Sequence, residues 1–262
     1  ACRLGCRRNR PATAKCRRLY LRLFTGLTCR RARRVIAISH STARDLTATL
    51  GIPADKIDVA APGYDPALYR PLPADQIAAF RRANHLPDRF WLFVGTLEPR
   101  KNLPILLEAY AQLPHRLPLV IGGGKGWDYE PIFAAVKRHR LENFVNFVGF
   151  IPSEDLPIWY NCAEAFVYPS VFEGFGLPVL EAMVCGTPVI VSDASSLPEI
   201  ASQSGLCVPP DDVAAWAEAL RRAHDDADWR ASARERGMIE AARYSWALTA
   251  QQTAASYRKA LG

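Results

Sequence analysis

The chain has 262 residues, 49% of them hydrophobic, and a formal net charge of +7. At roughly 100 to 200 residues per domain that length allows one large domain or two, and the composition supplies a full core. No apolar run reaches the roughly 18 residues of a membrane span, and the charged start lacks the apolar stretch of a secretion signal, so a cytosolic protein is expected.

The positive charge belongs to one end. Residues 1–34 hold twelve Lys and Arg and no acid, while the other 228 residues hold 21 basic against 26 acidic groups. Nucleic-acid binding is not expected, because such proteins set cations along a groove-facing element together with base-reading side chains. Residues 1–15 read as a basic arm, either solvated and disordered or drawn to anionic lipid at the inner membrane face. The lipid attraction would be about 1 kcal/mol per cation near the surface. Cys2, Cys6, Cys16 and Cys29 lie in the basic segment without Cys-x-x-Cys pairing or a histidine, so neither a zinc site nor a disulfide scaffold is expected. Cys162, Cys185 and Cys207 sit in apolar settings and read as buried small hydrophobes.

In chain order, residues 16–29 read as an amphipathic helix and Val35 to Ile38 as a buried strand. Ser39 to Thr42 can cap a helix, with Thr42 and Asp45 at capping-box spacing. Ile52-Pro53 ends that helix, Ile57 to Ala61 makes a second strand, and the loop through Pro62, Gly63, Pro71 and Pro73 marks a domain boundary. From residue 75 the pattern alternates. Helices are predicted at 75–84, 102–112, 130–140, 153–161, 177–185 and near 197, strands at 90–95, 117–122, 144–148, 165–168, 188–192 and 206–208, with helices to the end. Six short apolar strands alternating with helices predict an α/β fold with a doubly wound parallel sheet, in which ligands bind beyond the strand carboxyl ends.

The chemistry-bearing residues fall at those ends. After the first strand of the run comes Gly95-Thr96-Leu97-Glu98-Pro99-Arg100-Lys101-Asn102, which places two cations where they can neutralise phosphates. After the second comes Gly122-Gly123-Gly124-Lys125-Gly126-Trp127, read as a loop that exposes backbone. Gly149-Phe150-Ile151 follows the third and could form a slot for a planar base. The fourth leads into Glu173-Gly174-Phe175-Gly176-Leu177-Pro178 and then Glu181. There the glycines let backbone approach a ligand, and a helix start offers unpaired N–H groups to a phosphate. Glu181, about a turn inside that helix, suits sugar hydroxyls better than phosphate, since two anions repel. A first-turn carboxylate can also serve the helix dipole alone. Asp226-Ala227-Asp228 has the spacing of a metal-binding Asp-x-Asp, but its charge-rich helical setting argues against ligation.

The segments VGTLEPRKN, FVGFIP, YPSVFEGFGLPVLEAM and CGTPVIVSD resemble the C-terminal domain of family 4 glycosyltransferases, retaining enzymes of the GT-B fold, and the likeness runs from about Val35 to the end. The resemblance implies that Glu173 meets donor-sugar hydroxyls, that Glu181 holds a ribose, and that Arg100 and Lys101 bind the diphosphate. It also implies that amides around Gly176 and Leu177 complete the phosphate site and that backbone at Gly149 to Ile151 takes the base. Gly95, Thr96, Gly124, Gly174 and Phe175 complete the expected donor-binding set, with no cofactor and no metal. Fixed cations and N–H dipoles facing a departing nucleoside diphosphate would stabilise the transition state.

By the same resemblance, residues 16–68 are a remnant of the acceptor-side Rossmann-like domain, 69–244 the nucleotide-sugar domain, and 245–262 a helix that crosses back. The glycine-rich loop and histidine that the family places in its first domain have no counterpart. The strands near 35 and 57 would then leave sheet edges and apolar faces uncovered, to be hidden by a missing domain or an oligomer. The expected function is transfer of a hexose, mannose among the candidates, from a nucleotide sugar to a glycan or lipid-linked acceptor. The alternative is a catalytically incompetent nucleotide-sugar-binding module acting with a partner chain. A dinucleotide-dependent oxidoreductase is disfavoured, since no Gly-x-Gly-x-x-Gly follows the first strand of the alternating run.

Overall fold

The computed structural model describes residues 23–262, and the readings that fall on residues 1–22, including the basic arm and Cys2, Cys6 and Cys16, lie outside the described residues. Contacts divide the described chain into two units, residues 23–60 with 250–262, and residues 61–249. The first division falls eight residues before the boundary placed at 68/69.

In the first unit residues 23–31 are helical (α1). Strands β1 (Val35–Ala37) and β2 (Ile57–Val59) pair in parallel, and α2 (His40–Leu50) connects them. The α2 cap lies one turn before the Thr42/Asp45 pair: Ser39 is the N-cap, and its hydroxyl accepts from the Thr42 amide at 3.0 Å. Gly51, in the left-handed region at φ 63°, closes the other end. Strand β1 stops before Ile38, which is exposed. All three β2 residues are only partly covered.

Three arginines of the basic segment have structural partners here. Arg34 forks onto both oxygens of Asp58 at 2.8 and 2.7 Å, Arg33 donates to the Ala260 carbonyl at 2.7 Å, and Arg30 to that of Leu50 at 3.0 Å. Lys259 adds a second cation to Asp58 at 2.7 Å. The Arg34 hydrogen bond foremost holds the Asp58 carboxyl well below its usual range. The segment's last arginines therefore act as internal ties.

The second unit contains a six-stranded parallel sheet. Its strands are β3 (Trp91–Val94), β4 (Leu119–Gly122), β5 (Val145–Gly149), β6 (Ala165–Tyr168), β7 (Val189–Ser192) and β8 (Leu206–Val208), in the spatial order β5-β4-β3-β6-β7-β8. Strands β4, β6 and β7 are buried throughout, which explains their unbroken apolar runs. Between the strands run α3 (Ala74–Ala83), α4 (Leu103–Ala111), α5 (Glu130–Arg138), α6 (Leu156–Cys162), α7 (Leu177–Val184) and α8 (Leu197–Ala201). Helices α9 (Val213–Asp225), α10 (Ala227–Ala241) and α11 (Trp246–Leu261) follow, and the second unit's limit at Thr249 falls within α11.

Five helices start by one device. Pro104, Pro131, Pro157, Pro178 and Pro198 each occupy the second position of α4 to α8. The amide that proline lacks has no intrahelical partner there in any case. The predicted helix at 102–112 is divided in the structure. Pro99–Lys101 forms a 3-10 turn, Asn102 takes the left-handed conformation at φ 55°, and α4 begins after it. Asn102 is anchored by its side-chain amide, which donates to the Pro210 carbonyl at 2.7 Å. The predicted helix at 153–161 likewise starts later, at Leu156.

The strand order reverses between β3 and β6. The chain runs outward through β4 and β5, then returns to β6 and continues the other way; doubly wound sheets bind ligands in the crevice beyond the strand carboxyl ends at such a switch point, here between β3 and β6. The glycine run after β4 supports this edge mainly by packing. A Cβ on Gly122 would lie 2.4 Å from the Ile151 side chain, one on Gly126 would lie 2.8 Å from the Leu97 carbonyl, and one on Gly123, at φ 143°, would lie 1.9 Å from the Gly95 carbonyl. The loop reading is therefore corrected: of these four glycines only Gly124 faces open space. Gly123→Ala is expected to destabilise the protein by at least about 2 kcal/mol through combined strain and overlap. Gly124→Ala should be close to neutral, and chemical denaturation of the two variants checks the contrast.

Candidate donor-binding site

The residues at the crevice are held from several elements. Lys101 ends the 3-10 turn after β3 and is only 5% exposed. Its ammonium donates to Glu173 Oε1 at 2.7 Å and to the Tyr168 hydroxyl at the end of β6, and stands 4.6 Å from the centre of the Tyr168 ring. Arg100 reaches the same Glu173 oxygen at 2.6 Å and Glu98 at 2.7 Å. Ser170 donates to Glu173 Oε1 at 2.7 Å. Burial alone would raise the Glu173 carboxyl; Lys101, Ser170 and Arg100 outweigh it and hold it below its ordinary value. Burial lowers the Lys101 ammonium, and Glu173 opposes that shift.

The loop that carries Glu173 is pinned at its backbone. Ser195 and Ser196 donate to the Glu173 carbonyl at 2.6 and 2.9 Å, and Ser196 also donates to the Phe175 carbonyl at 2.6 Å. Gly176 then takes φ 117° as the residue before α7, where a Cβ would lie 2.8 Å from Leu197. Among the described residues the amides of Gly176 and Leu177 have no protein acceptor, and Pro178 has no N–H to compete for a ligand. This helix start thus presents two donors and the positive end of α7.

The structure brings Arg100, Lys101 and Glu173 together, but sets Glu181 in a different environment. Glu181 lies beyond the first turn of α7, which has no acid, so dipole complementation does not explain it. Tyr160 donates to Glu181 Oε2 at 3.0 Å, and the Tyr69 hydroxyl faces the same carboxyl. Burial pushes this carboxyl above its ordinary value, opposed by the two hydroxyls, and among the described residues no cation pairs with it.

Other expected site residues contribute backbone or space. Gly95 lies beside Lys101, where an added Cβ would stand 3.6 Å from the ammonium, so its bare backbone leaves room there. Thr96 is exposed next to it. Gly124 is exposed and pairs its carbonyl with the Leu97 amide at 2.9 Å. Gly149, at φ 77°, has open space where a side chain would be. Gly174 is partly covered between Glu173 and Phe175. Two side chains point elsewhere than a site requires: Ile151 is buried against Gly122, and Phe175 packs into the core with its ring 5.4 Å from that of Tyr244. The base slot was expected to use the backbone of Gly149 to Ile151, and the inward-turned Ile151 side chain leaves that expectation unchanged; Phe150 beside it is 76% exposed.

Tyr168, Tyr160, Ser170, Ser195, Ser196 and Glu98 were missed by reading motifs alone. Their signals, the Tyr-Pro-Ser step after β6 and the serine pair after β7, gain meaning only when β3, β6 and β7 are neighbours. Asp226 of the Asp-x-Asp match caps α10, accepting from the Trp229 amide at 2.7 Å, and Asp228 lies in the first turn. Among the described residues no group of three or more His, Cys, Asp or Glu could hold a metal, and no helix is long and apolar enough to cross a membrane. Burial pushes the Cys162 and Cys185 thiols up to about 11 and about 12, as expected of inert core cysteines.

The sequence profile of glycosyl transferases group 1 matches residues 76–243, and that of glycosyltransferase family 4 matches residues 7–68. The chain belongs to the group 1 glycosyltransferases. Within this family it is 35% identical over 231 residues to O-antigen chain mannosyltransferase B of Escherichia coli, covering 87% of this chain and 61% of the relative. It is 33% identical over 243 residues to D-inositol 3-phosphate glycosyltransferase of Kribbella flavida, covering 87% of this chain and 57% of the relative. Among solved structures, sucrose-phosphate synthase from Thermosynechococcus elongatus superposes with a TM-score of 0.82 at 29% identity, covering 92% of this chain and 61% of that one. Anabaena HepE in complex with UDP and glucose gives 0.83 at 25%, covering 92% of this chain and 67% of that one. The glycosyltransferase chain thus spans about three fifths of the length of these two relatives. The GT-B resemblance drawn from its motifs holds for the family and the fold.

The buried carboxylate has a consequence for stability. A carboxyl raised in the folded state favours folding at low pH and loses that contribution as pH rises through its folded value. Glu181→Gln removes the charge and keeps the shape. The variant should melt above the wild type at pH 7 to 8, with the difference shrinking as pH falls toward 4, in calorimetric scans across that range.

Proposed function

We propose that this chain binds a nucleoside-diphosphate sugar at the crevice between β3 and β6, as the donor half of a retaining hexosyltransferase. The supporting observation is the convergence of Lys101, Arg100 and Glu173 beside the unpartnered amides of Gly176 and Leu177, at the point where the strand order reverses. The anion that fits is a diphosphate: the two cations and the start of α7 answer its charge, while Glu181 with its tyrosine hydroxyls accepts from ribose hydroxyls. Glu173 is the acceptor for hydroxyls of the sugar, and backbone from Gly149 to Ile151 faces the base. Mannose is the proposed sugar, on the likeness to the Escherichia coli mannosyltransferase. The acceptor is a glycan or a lipid-linked glycan.

In this reading the reaction breaks the bond from the anomeric carbon to the diphosphate, and negative charge gathers on the leaving oxygens. Arg100, Lys101 and the α7 amides are fixed where that charge develops, so they stabilise the transition state more than the ground state. Glu173 has a second task before the donor arrives. It keeps two cations 2.6 and 2.7 Å from one carboxylate oxygen, which prevents their mutual repulsion from opening the site.

Calorimetry with UDP, GDP and ADP and their hexose conjugates tests the assignment. One nucleoside diphosphate should bind, and Lys101→Ala should weaken it about ten- to a hundredfold, the effect of losing one charge-assisted contact. Glu173→Ala should weaken the sugar conjugate more than the bare diphosphate. Equal losses for both would remove the sugar contact, and an unchanged affinity in Lys101→Ala would remove the diphosphate site.

A further inference from the structure

We infer that Tyr168 is a positioning residue for Lys101, its hydroxyl fixing the ammonium in the orientation that receives a phosphate oxygen; this rests on the donor-site reading above. Tyr168 ends β6 and is 1% exposed. Its ring stacks on Phe93 with centroids 5.7 Å apart and on Phe166 at 5.5 Å, so two neighbouring strands hold the phenol in place. Its oxygen accepts a hydrogen bond from Lys101, and its ring face lies under the same ammonium.

An ammonium has three N–H donors. Two are committed, to the Tyr168 hydroxyl and to Glu173, which leaves one for a ligand. Gly95 packs beside the lysine, where an added Cβ would stand 3.3 Å from its Cε and 3.6 Å from the ammonium. Without the phenol oxygen, Glu173 would be the sole acceptor among the described residues and the lysine could swing about that single contact. A tyrosine suits this place because it stays neutral: burial and the Glu173 carboxylate push its phenol well above the usual value. A neutral phenol holds the cation without competing with the incoming anion, as a second carboxylate would.

The test uses Tyr168→Phe, which keeps both ring stacks and removes only the hydroxyl. The ligand is whichever of UDP, GDP or ADP binds the wild-type protein, with the matching nucleoside followed by NMR titration as control. Diphosphate affinity should fall about tenfold while nucleoside affinity is unchanged. The alkaline limb of diphosphate binding should also move to lower pH, because Lys101 would lose an acceptor that favours its charged form. The titratable and charged groups facing Lys101 are Glu173, Tyr168, Arg100 and Glu98, and of these the variant removes only the phenol.

Unchanged diphosphate affinity, equal loss of nucleoside and diphosphate, or a fixed alkaline limb would each overturn the role of Tyr168 while Lys101→Ala still weakens binding. If no nucleoside diphosphate binds the wild type, the donor-site reading falls and this inference with it. Should Tyr168→Phe fail to fold, 3-fluorotyrosine at position 168 preserves shape and weakens the oxygen as an acceptor. The same shift of the alkaline limb is then expected, and its absence refutes the inference.

Discussion

A lysine ammonium is buried at the open end of a parallel sheet, and most of the site can be understood as what that burial requires. An unpaired buried cation is costly, so the fold surrounds Lys101 with acceptors: the Glu173 carboxylate, the Tyr168 hydroxyl and the face of its ring. Each of these needs support in turn. Glu173 is positioned by Ser170 at its side chain and by Ser195 and Ser196 at its backbone, and Tyr168 by rings from β3 and β6. Gly95 and Gly123 then let the loops after β3 and β4 close against each other, since a side chain at position 123 would strike the Gly95 carbonyl.

The two carboxylates eight residues apart have opposite surroundings. Glu173 is held below its ordinary value by cations and a hydroxyl, and Glu181 is raised by burial, opposed by the Tyr160 and Tyr69 phenols. One motif thus produces a carboxylate with one oxygen, Oε1, held by two cations and a hydroxyl, and another that accepts from the Tyr160 and Tyr69 hydroxyls. The first holds Arg100 and Lys101 close together. The second is a standing cost to the folded protein at neutral pH, since its raised carboxyl favours folding only when protonated.

Much of the fold could be read in advance because its strands are buried on both faces. Ala165 to Tyr168 and Val189 to Ser192 are near-continuous apolar runs with β-branched and aromatic residues, and Pro178, one residue inside α7, marked the start of that helix. Arg100, Lys101 and Glu173 were legible as site residues for a similar reason: charged groups beside glycines at strand ends have few structural uses. What escaped depended on which strands are neighbours. Tyr168 reads as one more core aromatic until β3 is known to lie beside β6, and the serines after β7 read as loop until their contacts to Glu173 are seen. The glycines after β4 look alike in sequence, yet packing against Ile151, Gly95 and Leu97 separates three of them from Gly124. The early start assigned to α4 failed because no periodicity shows that Asn102 turns left-handed to break the helix there.

The central claim is that Lys101, its acceptors and the start of α7 form one diphosphate site. A crystal structure of the protein with a bound nucleoside diphosphate tests it most directly. The account predicts phosphate oxygens within about 3 Å of Lys101 Nζ and of the Gly176 or Leu177 amide, with ribose hydroxyls on Glu181. A diphosphate bound elsewhere, or bound here with Lys101 still more than about 4 Å from every phosphate oxygen, would contradict it.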